Sequence, residues 1–135
     1  MPAALADYVR AKRVGALVTT AGQVSAAAGR ENRGKLGATL GVEQGREATR
    51  ACVINCMAAL PTLLDSLDRV RQILSVHVFV SSTPEFDVQA AAMNGASDLL
   101  VQIFGEAGKH TRTAVGVAGL PLNYTASVYL LAEVD

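Results

Sequence analysis

The run from Val70 to Ser81 limits what this chain can fold into more than any other stretch. Val70, Leu74, Val76, Val78 and Val80 stand at even positions, and Ile73, Ser75, His77 and Phe79 fall between them. Successive strand residues point to opposite faces, so both faces of this strand are largely apolar. Such a strand lies centrally in a sheet and is covered on both sides. Only two long helical patterns accompany it, and two helices cover one face of a sheet. The second face, with Ile73, His77 and Phe79, must meet something else, most simply another subunit. A lone histidine there reads as an interface residue rather than a ligand.

The remaining elements follow from periodicity. Leu17 to Ala21 reads as a strand, and residues 24–41 as a long loop rich in Gly, Ser and Ala, with room for a short strand. Val42 to Leu67 reads as a helix, with Cys52 or Val53, Cys56 or Met57, Leu60, Leu63 or Leu64, and Leu67 at helical spacing. Glu43–Arg46 and Glu47–Arg50 are favourable neighbours on its solvated face. Pro61 removes a hydrogen bond to Met57 and should kink it. Ser81 to Pro84 signals a loop and helix start, and Phe86 to Phe104 a second helix with Val88, Ala92, Leu99, Ile103 and Phe104 inward. Arg112 to Ala118 reads as a strand, Gly119 to Asn123 as a turn, and Tyr124 to Val134 as the last strand. This order implies an α+β fold, a mixed sheet with both helices on one face.

At 135 residues the chain suits one domain, 1–135. Half of the residues are hydrophobic, enough for a core without covalent staples. The formal net charge is zero, which argues against nucleic acid as a partner, because such binders carry a basic excess. Arg10, Lys12 and Arg13 cluster near the start and read as a solvated arm. Tryptophan is absent, so a base-stacking platform is not expected. No apolar run reaches about eighteen residues, which argues against a membrane partner. The N-terminus, Met1 to Asp7, has an early acid and no signal-peptide core, so the expected location is the cytoplasm. Cys52 and Cys56 lie four apart on one helix face, a poor disulfide geometry and too few ligands for structural zinc. They are expected as buried free thiols. His77 and His110 lack ligand spacing, and Gly-rich 29–41 is no phosphate loop, so neither a metal nor a cofactor is expected.

Chemistry concentrates in Arg112-Thr113-Ala114-Val115-Gly116-Val117-Ala118-Gly119-Leu120-Pro121. Alternation places Arg112, Ala114, Gly116 and Ala118 on one face. A guanidinium beside a row of tiny side chains has open space before it, and its planar fork suits a small carboxylate. The plainer reading is an edge-strand arginine in a surface ion pair.

Further stretches set Arg112 in context. Val18-Thr19-Thr20-Ala21-Gly22-Gln23 and Gly34-Lys35-Leu36-Gly37 lie early in the chain. Asn94-Gly95-Ala96-Ser97-Asp98-Leu99-Leu100 and Phe104-Gly105-Glu106-Ala107-Gly108 precede the arginine. In this order and spacing, over nearly the whole chain, they resemble the RidA (YjgF) family. Its members are also described as endoribonuclease L-PSP or translation initiation inhibitor proteins. The resemblance implies a chorismate-mutase-like fold assembled as a homotrimer, with sheets packed together at its centre. It further implies that small carboxylates bind in clefts between subunits.

In that comparison Arg112 matches the arginine that grips the carboxylate. Ala21 and Gly22 match the element whose backbone helps, and Asn94 matches an asparagine early in the second helix. The Asn94-Gly95 pair is a poor choice for helix stability alone, which favours a functional reason for it. The family's imine and enamine deaminases carry a glutamate fifteen residues after the arginine; here that position is Ser127. A frequent cysteine two residues after the arginine is Ala114. Serine alone lacks the basicity to activate water, and Glu133 is roughly 20 Å further along the strand. Tyr129 shares the face of Ser127 but is normally protonated. The resemblance thus implies that the binding half of the site is retained and that the family's acid–base half is not. Three functions stay open: a carboxylate or keto-acid binder with weak or altered imine deaminase chemistry, a non-catalytic metabolite sensor or regulator, and a ribonuclease. The neutral charge and the lack of a catalytic histidine pair weaken the third.

Overall fold

A computed structural model describes residues 6–135; residues 1–5, on which most of the leader reading rests, lie outside it. Its centre is the strand β4, Val70–Ser81, with the bounds expected from its composition. The other strands are β1 (Ala11–Val14), β2 (Leu17–Thr20), β3 (Gln23–Val24), β5 (Thr111–Val117) and β6 (Ala126–Val134). They form one mixed sheet in the order β1-β2-β6-β4-β5, with β3 also paired to β6. Only β4 and β5 run parallel, and a helix makes the crossover between them. The helices α1 (Val42–Ala59) and α2 (Gln89–Phe104) pack on each other and on one face of the sheet. The architecture is therefore the α+β arrangement expected.

Two bulges change which residues of β4 face the helices. The pairing with β6 shifts between Val70 and Gln72 and again between Ile73 and Ser75. Each extra residue reverses the alternation beyond it. Ile73 is thereby buried with Val76, Val78 and Val80, whereas Leu74 is only half-buried. This inverts the expected places of Ile73 and Leu74. The helix-free face carries Ser75, His77 and Phe79 of β4 beside Tyr129 of β6. The His77 ring stacks on Tyr129 at 4.4 Å between centroids, and the Phe79 ring lies 6.2 Å from Tyr129.

Helix α1 ends at Ala59 rather than running kinked to Leu67. Pro61 has no N–H to continue the ladder and instead opens a 3₁₀ turn, Leu60–Thr62. Glu43 pairs with Arg46 as expected, but Glu47 pairs with Arg30 of the preceding loop, not with Arg50. Helix α2 begins at Gln89 instead of Phe86. Pro84 lies in a turn closed by the Phe86 N–H on the Thr83 carbonyl. Val88 and Ile103 are exposed, and Met93, Ala96 and Leu100 take the buried positions. The helices approach closely where Gly95 meets the backbone carbonyl of Arg46, and the Thr49 hydroxyl donates to the Ala92 carbonyl at 2.8 Å. Packing accounts for Gly95, so its poor helix propensity is no sign of chemistry.

Lys12 and Arg13 are not a solvated arm. They belong to β1, an edge strand joined to β2 by a two-residue turn in which Gly15 has φ 57°. Charged side chains on such an edge discourage pairing with other chains. Cys52 and Cys56 are buried free thiols.

Candidate functional site

Arg112 projects from β5 toward α2. Its register partner on β4 is Val76, a core residue, so Arg112 lies on the helix-covered face at the sheet edge. One nitrogen, Nη1, donates to Asn94 Oδ1 at 2.8 Å and to Ser97 Oγ at 3.2 Å. Asn94 and Ser97 are three apart on α2 and so share a face. Among the described residues the guanidinium makes no other hydrogen bond and no ion pair. The surface ion-pair reading is thus not realised. Nε and Nη2 remain as a parallel pair of donors.

The network continues past Ser97. His110 Nε2 is 3.0 Å from Ser97 Oγ, and His110 Nδ1 is 2.6 Å from the Gly108 carbonyl. A carbonyl only accepts, so Nδ1 carries the proton. In the neutral ring Nε2 then accepts from the Ser97 hydroxyl. The local chain path enforces this. Gly105, at φ 63°, ends α2 and leads into the 3₁₀ turn Gly105–Gly108. Gly108 packs against the Leu100 carbonyl where no side chain fits. His110 escaped the sequence reading because its side-chain partner, Ser97, comes from a helix thirteen residues earlier. The available signal was a polar helix face, Asn94 and Ser97, ahead of a His-x-Arg strand start.

The small residues after Arg112 have different surroundings. Ala114 is half-buried and packs against the core. A β-carbon on Gly116 would overlap Ser82 Oγ. Gly116 helps to line a hollow of about 450 Å³ with Lys35, Ser82, Thr83, Phe86 and Gln89, and Arg112 is not part of it. That hollow lies roughly 13 Å along the strand. Ala118 lies beyond the end of β5. The Gly34–Gly37 segment runs beside the end of β4, where Lys35 Nζ donates to Ser81 Oγ at 3.2 Å.

Ala21, Gly22 and Ser127 form a second group. Ala21 and Gly22 connect β2 to β3, and a β-carbon on Gly22 would stand 3.2 Å from Ser127 Oγ. Ser127 pairs with Phe79 and so belongs to the helix-free face. Within one chain, then, Arg112, Asn94 and Ala114 occupy one face of the sheet and Ser127 the other, with β4 between their strands. Glu133 accepts from Gln72 at 3.0 Å near the far end of β6. Burial pushes the Cys56 thiol up to about 12 and raises Cys52 as well, so neither is a thiolate nucleophile. Among the described residues no cluster of three His, Cys, Asp or Glu could hold a metal ion. No described helix is long and apolar enough to cross a membrane.

A family profile described as "YjgF/chorismate mutase-like, putative endoribonuclease" matches residues 1–134. The chain belongs to the YjgF family. A YjgF-family structure expected from the sequence resemblance is thus the one observed. Among related proteins, TCP17 of Trypanosoma cruzi is 44% identical over 103 residues, covering 76% of this chain. The matched region spans 64% of TCP17's own length. A protein of Shewanella oneidensis MR-1 is 36% identical, with 98% of this chain and 89% of that one superposed at a TM-score of 0.93. Atu1372 of Agrobacterium tumefaciens, a protein of unknown function, is 33% identical and also reaches 0.93, over 96% of this chain and 85% of its own.

Proposed function

We propose that this YjgF-family protein is a homotrimer that binds a small carboxylate or keto-acid-like metabolite in clefts between subunits, and that it has weak imine or enamine deaminase activity. The observation that carries this reading is the state of Arg112. One nitrogen is held by Asn94 and Ser97, and the free donor edge matches the two oxygens of a carboxylate. Assembly accounts for the half-apolar, helix-free face around His77, Phe79 and Tyr129. It would also bring the Gly22–Ser127 group of one subunit toward the Arg112 group of another, which a single chain keeps on opposite faces. A binder without catalysis is the second reading, favoured by a serine, Ser127, where the family's deaminases carry a glutamate.

Calorimetric titration with 2-oxobutyrate tests the binding. Arg112→Ala should weaken it by about 2–4 kcal/mol, the loss of a bidentate charge-assisted contact. Equal affinity in wild type and Arg112→Ala would refute the assignment.

A further inference from the structure

We propose that the hollow at the paired ends of β4 and β5 is a second ligand site, built for an aromatic carboxylate and anchored by Lys35. It is separate from the Arg112 site and does not depend on how Arg112 is read.

The place of the hollow is the first support. β4 and β5 run parallel and end together, with Ser81 paired to Val117, and the chain leaves β4 there to enter α2. In open α/β sheets ligands sit in the crevice beyond the carboxyl ends of the parallel strands, and the β4–α2–β5 unit has that geometry. At about 450 Å³ the hollow falls within the usual size of small-molecule sites, about 300–1,000 Å³.

Lys35 supplies the charge. Leu36 is stitched to the end of β4 by two main-chain hydrogen bonds. Its N–H donates to the Ser81 carbonyl at 2.9 Å, and the Thr83 N–H donates to its carbonyl at 3.0 Å. The residue before it is thereby fixed at the hollow. Lys35 is half-buried, and its ammonium donates to the neutral Ser81 hydroxyl at 3.2 Å. No acidic side chain lines the hollow, and among the described residues Lys35 makes no ion pair. An ammonium has three donors, so two are left for an anion.

Gly116 keeps the wall bare. A β-carbon there would overlap Ser82 Oγ and stand 2.8 Å from Gln89 Nε2. Gln89 Nε2 gives one proton to the Phe86 carbonyl at 2.7 Å and keeps another. Glycine weakens a strand interior and often marks the close approach of a ligand or another backbone. The hollow therefore combines a cation, a hydroxyl and an amide donor with the apolar surface of Pro84, Phe86, Val117 and Ala118. Such a lining suits a flat apolar body with one anionic head. A single cation matches a carboxylate better than a phosphate dianion.

The test titrates full-length protein with indole-3-acetate by calorimetry, and amide NMR spectra locate the binding. The amides of Ser82, Gly116 and Val117 should shift before those of Asn94 and Arg112. Lys35→Met keeps the apolar stem, removes the charge and should weaken binding about tenfold or more. Ala118→Phe fills the hollow from its exposed rim with Lys35 intact and should weaken it as much. Arg112→Ala should leave the affinity within about twofold of wild type. No binding at about 5 mM indole-3-acetate, or wild-type affinity in both Lys35→Met and Ala118→Phe, overturns the site. Loss of binding in Arg112→Ala alone places the aromatic acid at Arg112 and overturns it too. Displacement by inorganic phosphate at matched ionic strength overturns the aromatic ligand class. A failure of 2-oxobutyrate to bind bears on Arg112 alone.

Discussion

Gly95 of α2 stands against the backbone carbonyl of Arg46 in α1, where any β-carbon would overlap it. The contact joins the two helices one residue from Asn94, so it also sets where that amide meets Arg112. Gly95→Ala should gain about 1 kcal/mol of helix propensity and lose more, because the obstacle is main chain and cannot rotate away. We expect a net loss of about 2 kcal/mol in urea unfolding, with weaker carboxylate binding. A raised unfolding midpoint would show that the helices have room to spare.

Asn94→Asp should be worse for binding than Asn94→Ala. The alanine merely frees Nη1 of one acceptor, at a cost of about 1 kcal/mol. The aspartate supplies a permanent anion to the guanidinium and repels the ligand's own charge. Titration with 2-oxobutyrate at low and high salt separates them: salt should restore part of the aspartate variant's affinity and little of the alanine variant's. Tighter binding by Asn94→Asp would contradict the anion site.

Adjacent residues of β4 should answer differently to the same charge. Val78 is 1% exposed on the core face, so Val78→Asp should prevent folding. Phe79 lies beside Tyr129 on the helix-free face, so Phe79→Asp should leave a folded monomer. Circular dichroism reports the first and light scattering the second. A wild type that scatters as a monomer at micromolar concentration would remove the basis for a trimer.

The buried thiols predict an alkaline weakness. Unfolded cysteines ionise near 9, whereas burial holds Cys56 up to about 12 despite the Thr20 hydroxyl, which pulls it down. Cys52 is raised in the same direction, by burial first and by Cys56 second. Above pH 9 the unfolded chain therefore binds fewer protons than the folded one, and stability falls as pH rises. The contribution is complete below that point and is lost toward about pH 12. Each thiol adds a slope of up to about 1.4 kcal/mol per pH unit. Cys56→Ala should flatten the fall by roughly one proton in urea melts between about pH 9 and 11. An unchanged slope would show that Cys56 does not drive it.

The architecture was legible because long elements carry their periods openly. Val70–Ser81 declared itself by branched residues, and the α+β order followed from counting elements. What stayed hidden was set by short or distant events. A bulge at Leu74 leaves no mark in a period-2 pattern, yet it exchanges the faces of Ile73 and Leu74. The four-residue strand β1 holds Lys12 and Arg13, and charged edge strands look like solvated arms. Arg112 and Asn94 were readable as separate residues of one motif. The join from Ser97 to His110 was not, because it depends on how α2 returns to β5.

That return has a consequence for inheritance. Asn94, Ser97, Gly108, His110 and Arg112 all lie on one unbroken segment that leaves a helix, turns tightly and enters a parallel strand. A duplication, recombination or graft that carries this segment carries the whole hydrogen-bonded network with it. The Ser127–Gly22 group sits elsewhere in the chain and is free to diverge on its own schedule. Variation among such proteins should therefore sort into two independent blocks, one around Arg112 and its partners and one around Ser127.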